Sequence, residues 1–209
     1  MALLSLADFK SLYWHGDASD TTQDTRLTAW LAAWEDAFLE HIGVPVNDAD
    51  TRTLDSATYT VIYTSQYDTR VARGPAGHVV PPVVPWSTTG LFSSSDGAFA
   101  DASDEFTSGE YDDRMPNSPI HARVKLRPGY SFAESDEVKL VGTGGYSTVP
   151  DRFVYAFGLT MDWWDRVNDH RTIRSKTVER TPTASFRAED LPPDLRGLMD
   201  ALRMPWKRI

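Results

Sequence analysis

Between Phe153 and Val167 the chain carries apolar residues on two faces of one helix. Phe153, Phe157, Met161, Trp164 and Val167 recur at spacings of three and four along one face, and Tyr155, Leu159 and Trp163 follow a second. A helix apolar on two sides has to be covered on two sides, so the fold must be built around this segment. The run before it, from Val141, reads as a strand end, then a turn through Gly142, Gly144 and Gly145. The helix then starts at Val149-Pro150, where proline's fixed φ and missing N–H suit a first turn. Thr148 and Asp151 stand at capping-pair spacing.

Two helices are legible upstream. Ser5 before Asp8 has N-cap spacing, and Leu3, Leu4, Leu6, Phe9 and Leu12 give a short helix over about Ala7 to Tyr13, stopped by Gly16. Leu27, Trp30, Leu31, Trp34, Phe38 and Ile42 follow helical spacing, with Asp20 and Gln23 at capping-box distance and Gly43 and Pro45 as the stop. Arg26, Glu35, Asp36 and Glu40 occupy its other face.

From Val44 to Tyr146 the period shortens to that of strands. Thr58 to Thr64 is β-branched and aromatic. Gly74 to Gly77 reads as a turn. His78 to Trp86 is extended, and its three prolines confine it to a sheet edge or a stretched connection. Ser93 to Asp113 is rich in Ser, Asp and Gly and reads as a solvated acidic loop. Ile120 to Arg127 and Glu137 to Val141 read as strands joined through Pro128-Gly129, the first with one wet face. After the aromatic helix, Asn168 to Arg187 reads as an extended polar link. A last short helix begins at Pro192-Pro193-Asp194, carries Leu195, Leu198, Met199 and Leu202 on one face, and ends at Pro205. The fold class is therefore α+β: a small bundle of about four helices, a β-rich region inserted between the second and third, and an extended C-terminal arm. The expected division is a body over 1–170, with residues 44–146 as the insert, and a link with a docking helix and tail over 171–209.

The 209 residues carry a net charge of −9 and no cysteine. Disulfides, thiolate nucleophiles and cysteine-ligated zinc are excluded. From Arg171 onward the net charge is +4, so the first 170 residues carry −13. Such a body repels nucleic acid rather than gripping it, and the basic tail reads equally as a contact for an acidic partner or as a solvated tail. The N-terminus reads as no signal peptide, and no apolar run is long enough to span a membrane.

Catalytic signatures do not emerge. No two of His15, His41, His78, His121 and His170 stand at ligand spacing on a helix. The acidic stretch from Asp96 to Asp113 has no EF-hand register, and there is no Gly-x-Ser-x-Gly turn. Gly142-Thr143-Gly144-Gly145 lacks the Gly-Lys-Ser/Thr ending of a phosphate loop. No catalytic, cofactor-binding or metal-ligating residue is assigned.

The order of features carries more. A Leu-x-x-Phe-Lys helix, a Trp-rich helix ending near Gly43, a proline-bearing segment, strand pairs, Gly145-Tyr146-x-x-Val149-Pro150 running into the Trp163-Trp164 helix, a polar link and the closing Leu191 to Pro205 segment follow one another. This order resembles the head–tail connector, or adaptor, proteins of long-tailed bacteriophages and gene-transfer particles, over almost the whole chain. The Ser93 to Asp113 stretch is longer and more acidic than that family suggests.

The resemblance implies a structural virion protein without enzymatic activity. It would act at the neck, at the portal vertex, after assembly in the host cytoplasm. Copies would form a dodecameric ring that docks on the portal protein, extends the channel for passing double-stranded DNA without gripping it, and receives a tail terminator or stopper; no membrane is involved. Carried onto this chain, portal contacts fall on Leu195, Leu198, Met199, Leu202, Arg203, Trp206, Lys207 and Arg208. Tyr155, Leu159 and Trp163 are the candidate contacts between subunits, covered either by the Leu27–Ile42 helix or by a neighbouring copy. The competing expectations are a tail-side completion or stopper protein and, in a different class, a carbohydrate-active hydrolase using the acidic residues.

Overall fold

The computed structural model describes residues 2–14, 16–64, 67–114, 122–172 and 191–204. They gather into two compact units, one from the described residues within 1–42 and 149–202, the other from those within 43–148 together with Arg203 and Met204. The class is α+β, with a β-rich insert between the second and third of the four helices among the described residues. Trp206, Lys207, Arg208 and the polar link over 173–190 lie outside the described residues.

In the helical unit, α1 spans Leu6–Leu12, and the Ser5 hydroxyl accepts from the Asp8 N–H at 3.1 Å. The helix closes at Tyr13, before Gly16. Leu3, Leu4 and Phe9 are buried, but Leu12 is 69% exposed. Helix α2 runs Asp24–Ile42. Asp20 does not cap it as its spacing suggested: its carboxylate accepts from Thr22 N–H in a local turn. Lys10, itself buried, reaches across to the Asp24 carboxylate at 2.6 Å and ties α1 to the first turn of α2. Leu27, Leu31, Trp34, Phe38 and Ile42 are buried along one stripe, as their period requires. Glu35, expected on the wet face, accepts from Leu3 N–H.

Helix α3 runs Asp151–Thr172, five residues past Val167, where an extended link was expected to have begun. Phe153, Ala156, Phe157, Thr160 and Met161 form its buried face; the Val167 side chain lies outside the described residues. Helix α4 spans Pro193–Ala201, with Pro192 as its N-cap.

In the second unit, β1 (Ala57–Tyr63), β10 (Glu137–Gly144), β5 (Trp86–Ser94) and β6 (Glu105–Phe106) form one antiparallel sheet in that spatial order. A second follows the order β2 (Val71–Ala72), β4 (His78–Val79), β8 (Arg123–Leu126), β7 (Tyr111–Arg114). A short pair joins β3 (Gly74–Pro75) to β9 (Ser131–Phe132). Strict alternation puts Tyr59 and Tyr63 of β1 and Val138 and Leu140 of β10 inside. In β8, Val124 and Leu126 are buried while Arg123 and Lys125 keep the wet face.

Three expectations change here. His78 and Val79 are not at an edge, because β4 lies between β2 and β8; the three prolines follow in the connection from β4 to β5, the other place expected for them. The Ser93–Asp113 stretch is not one loop. It contains the end of β5, a 3₁₀ turn, β6 and most of β7, and two of its carboxylates bond to other parts of the β unit. Asp113 accepts from Thr88 N–H at 2.8 Å, and Asp112 pairs with Arg127 at 2.7 Å. Finally, Gly142 and Gly144 are strand residues rather than turn residues. A Cβ on Gly142 would stand 2.4 Å from the Trp86 ring, and one on Gly144 2.1 Å from Val83 Cγ2. The glycines make a bed for Trp86, and only Gly145, at φ 103, turns the chain.

Candidate docking surfaces

Helix α3 presents two faces of different character. The first is closed from within the chain by α2. Trp30 and Trp34 meet Trp164 at ring separations of 4.6 and 5.0 Å, and Phe38 meets Phe157 at 5.5 Å. Arg26 stacks on the outside of Trp30 at 4.1 Å. Since α2 is engaged there, the second face is left with Tyr155 at 55% exposure and with Leu159 and Trp163 half-buried. Asp162 and Arg166 pair at 3.2 Å one turn apart on that side. The end of α1 lies beside it: a Cβ on Gly158 would strike the Tyr13 ring at 2.3 Å, so glycine lets Tyr13 rest on the helix backbone. Burial first, then the nearby Tyr155 and Asp162, raise the Tyr13 phenol above its ordinary pKa. The structure thus brings Tyr155, Leu159 and Trp163 together on an outward face of the helical unit. Tyr13 is the neighbour the sequence reading missed; a tyrosine directly after a helix with a glycine on the facing helix was the available signal.

The C-terminal residues are placed differently from expectation. Leu195, Met199 and Leu202 are buried within the described chain, Met199 completely. Helix α4 packs on α3 and α2, with Met199 Sδ 4.0 Å from the Thr160 hydroxyl, which also donates to the Ala156 carbonyl at 2.9 Å. The physical reason is that the apolar stripe of Leu195 and Met199 on this nine-residue helix, continued by Leu202 at its C-cap, finds an apolar groove in its own helical unit. Leu198 and Arg203 are half-buried. Arg196 donates to the Leu191 carbonyl at 3.2 Å and steadies the first turn.

Chemistry of the catalytic kind finds little to build on. Among the described residues, no three His, Asp or Glu side chains come together as metal ligands. Asp17, Asp20 and Asp96 are each held below the usual carboxylate pKa, chiefly by hydrogen bonds from residues two positions away, and each spends its oxygens on its own turn. His78 is pushed down by burial and by Arg123 and Lys125. One open hollow of about 380 Å³ is lined by Tyr67, Val71, Arg73 and Glu134, and a smaller one of about 60 Å³ by Trp14, Asp17, Asp20 and Leu27 among others. No helix among the described residues is long and apolar enough to cross a membrane.

No protein-family model matches the chain, and no curated protein is similar to it in sequence. A solved structure is similar in fold: a chain described as part of the virion of a native gene transfer agent particle. It is 14% identical, with a TM-score of 0.50, and the match covers 97% of this chain and 90% of that one.

Proposed function

We propose that this protein is a structural component of a phage-like particle and, more finely, a head–tail connector subunit. The carrying observation is the fold likeness to a gene-transfer-agent virion chain across 97% of the sequence. A match of that extent takes in the helices, the insert and the closing helix together. In this reading copies close into a ring through head-to-tail contacts, with Tyr155, Leu159 and Trp163 of one copy against the next. The exposure of Tyr155 on a helix otherwise packed by its own chain supports that role. The ring sits at the neck between portal and tail and passes DNA through a channel whose acidic walls do not hold it. It acts without catalysis.

Residues 171–209 serve as link and docking arm. Because Leu195, Met199 and Leu202 are buried in the helical unit, the residues that reach the portal first are Leu198, Arg203, Trp206, Lys207 and Arg208. Deleting the whole arm would also remove Met199 from the core, so the sharper test replaces Trp206, Lys207 and Arg208 with alanine in the full chain. Binding to purified portal rings is then measured alongside the far-ultraviolet circular dichroism. Loss of binding by a folded variant is expected; undiminished binding sinks the docking assignment. In parallel, Tyr155→Arg should leave the chain folded and monomeric while blocking ring growth on the portal, seen by electron microscopy.

A further inference from the structure

Phe99 adopts φ 52. For a bulky aromatic residue this left-handed conformation is a genuine outlier, and it persists only where the surroundings hold it. Its surroundings are specific. The Lys139 ammonium lies 4.7 Å from the centre of the Phe99 ring and 4.2 Å from that of Phe92. The two rings meet edge to face at 6.5 Å and 76°. Lys139 stands in the middle of the first sheet, directly between its cross-strand partners Ile62 on β1 and Phe92 on β5. These three share the outward face, on which Ile62 is 48% exposed and Val141 and Phe92 are half-buried. Phe92 lies back over Gly90, where a Cβ would be 2.7 Å from its ring.

We propose that residues 95–100 form a strap, latched over the outer face of this sheet by closure of Phe99 and Phe92 on the Lys139 ammonium. The near end of the strap is fixed by Asp96, whose carboxylate accepts from Ala98 N–H and from the Ser94 hydroxyl. Gly97, at φ 71 beside Glu137, turns the chain back toward the sheet. The far end runs into the acidic turn at Asp101 and Asp104. A cation between two rings is attracted to both faces, and that attraction acts against the strain of the Phe99 backbone. The latch therefore sets two things together: where the acidic turn is held, and whether the Phe92 side of this outward face is covered. Unlatched, the strap relaxes its backbone and uncovers Phe92.

Hydrogen–deuterium exchange on the full chain tests this through three variants. Lys139→Met keeps the stem and removes the charge; Lys139→Arg keeps a cation that stacks on rings; Phe99→Ala removes one wall. Amides of residues 97–101 should exchange about fivefold faster or more in Lys139→Met and Phe99→Ala, and near the parent rate in Lys139→Arg. Binding of an apolar fluorescent dye should rise in the first two variants only. Unchanged exchange in Lys139→Met or in Phe99→Ala overturns the latch. So does a loss of protection spread through β5 and β10 in both, because the clamp would then belong to the stability of the sheet.

Discussion

In the helical unit large side chains meet large side chains: Trp30, Trp34 and Phe38 of α2 against Trp164 and Phe157 of α3. In the β unit the largest side chain, Trp86, is seated where β10 has no side chain at all. In both, buried groups stand in direct contact, as a close-packed interior requires. They fail in opposite ways. The first is weakened by taking atoms away, the second by adding them.

The largest expected effect sharpens that contrast on the helical side. Phe157→Ala removes a fully buried ring that faces Phe38, and should cost about 3–5 kcal/mol in urea unfolding followed by tryptophan fluorescence. A loss below about 1 kcal/mol would mean that the helices collapse onto the gap, and the contrast would fail. On the β side, Gly144→Ala adds a methyl where Val83 Cγ2 is 2.1 Å away. It should cost about 1–3 kcal/mol by overpacking, although alanine is nearly the smallest change possible. A stable Gly144→Ala protein would show that Trp86 has room to move, and its emission spectrum would reveal the shift.

How much of this was legible in the sequence follows from the same contrast. A helical stripe is written in residues that are present, so α2 and the first face of α3 could be read directly from Leu27, Trp34, Phe38 and Phe157. The bed under Trp86 is written in absences. Gly142 and Gly144 look like turn residues because nothing local says that a tryptophan from another strand lies on them. For the same reason Trp86–Ser94 was not recognised as a central strand: its prolines stand just before it, and its small polar residues carry no period of their own. The candidate subunit face at Tyr155, Leu159 and Trp163 was legible as a stripe, whereas the burial of Leu195 and Met199 was not. An amphipathic helix states that it needs a partner, and only the tertiary structure says which one.

Smaller effects probe polar groups that the core must satisfy. Tyr63 is buried and donates to the Val80 carbonyl at 2.7 Å, and burial raises its phenol far above the ordinary value. Tyr63→Phe leaves that carbonyl without its donor and should cost about 1–2 kcal/mol in the same unfolding experiment. Asp68 is held below the usual carboxylate pKa, first by hydrogen bonding to the Arg70 side chain, at 2.6 and 2.8 Å. A depressed folded pKa gives stability that is complete above the unfolded carboxylate value of about 3.9 and is lost as the pH falls through the folded one. Acid should therefore lower the urea midpoint progressively below about pH 4, and Asp68→Asn should flatten that slope. An unchanged slope would show that Asp68 binds protons alike in both states. Smallest of all, Tyr155→Ser should change stability by less than about 0.5 kcal/mol. A larger loss would mean that this face is covered by its own chain and is not available to a neighbour.

The helical unit is assembled from two separated stretches of sequence, within 1–42 and 149–202, with residues 43–148 of the β unit coming between them along the chain. On the ribosome this imposes an order. The tryptophans of α2 emerge early and stay without α3 until the intervening strands have been made. Over that interval the aromatic face of α2 has no α3 to cover it.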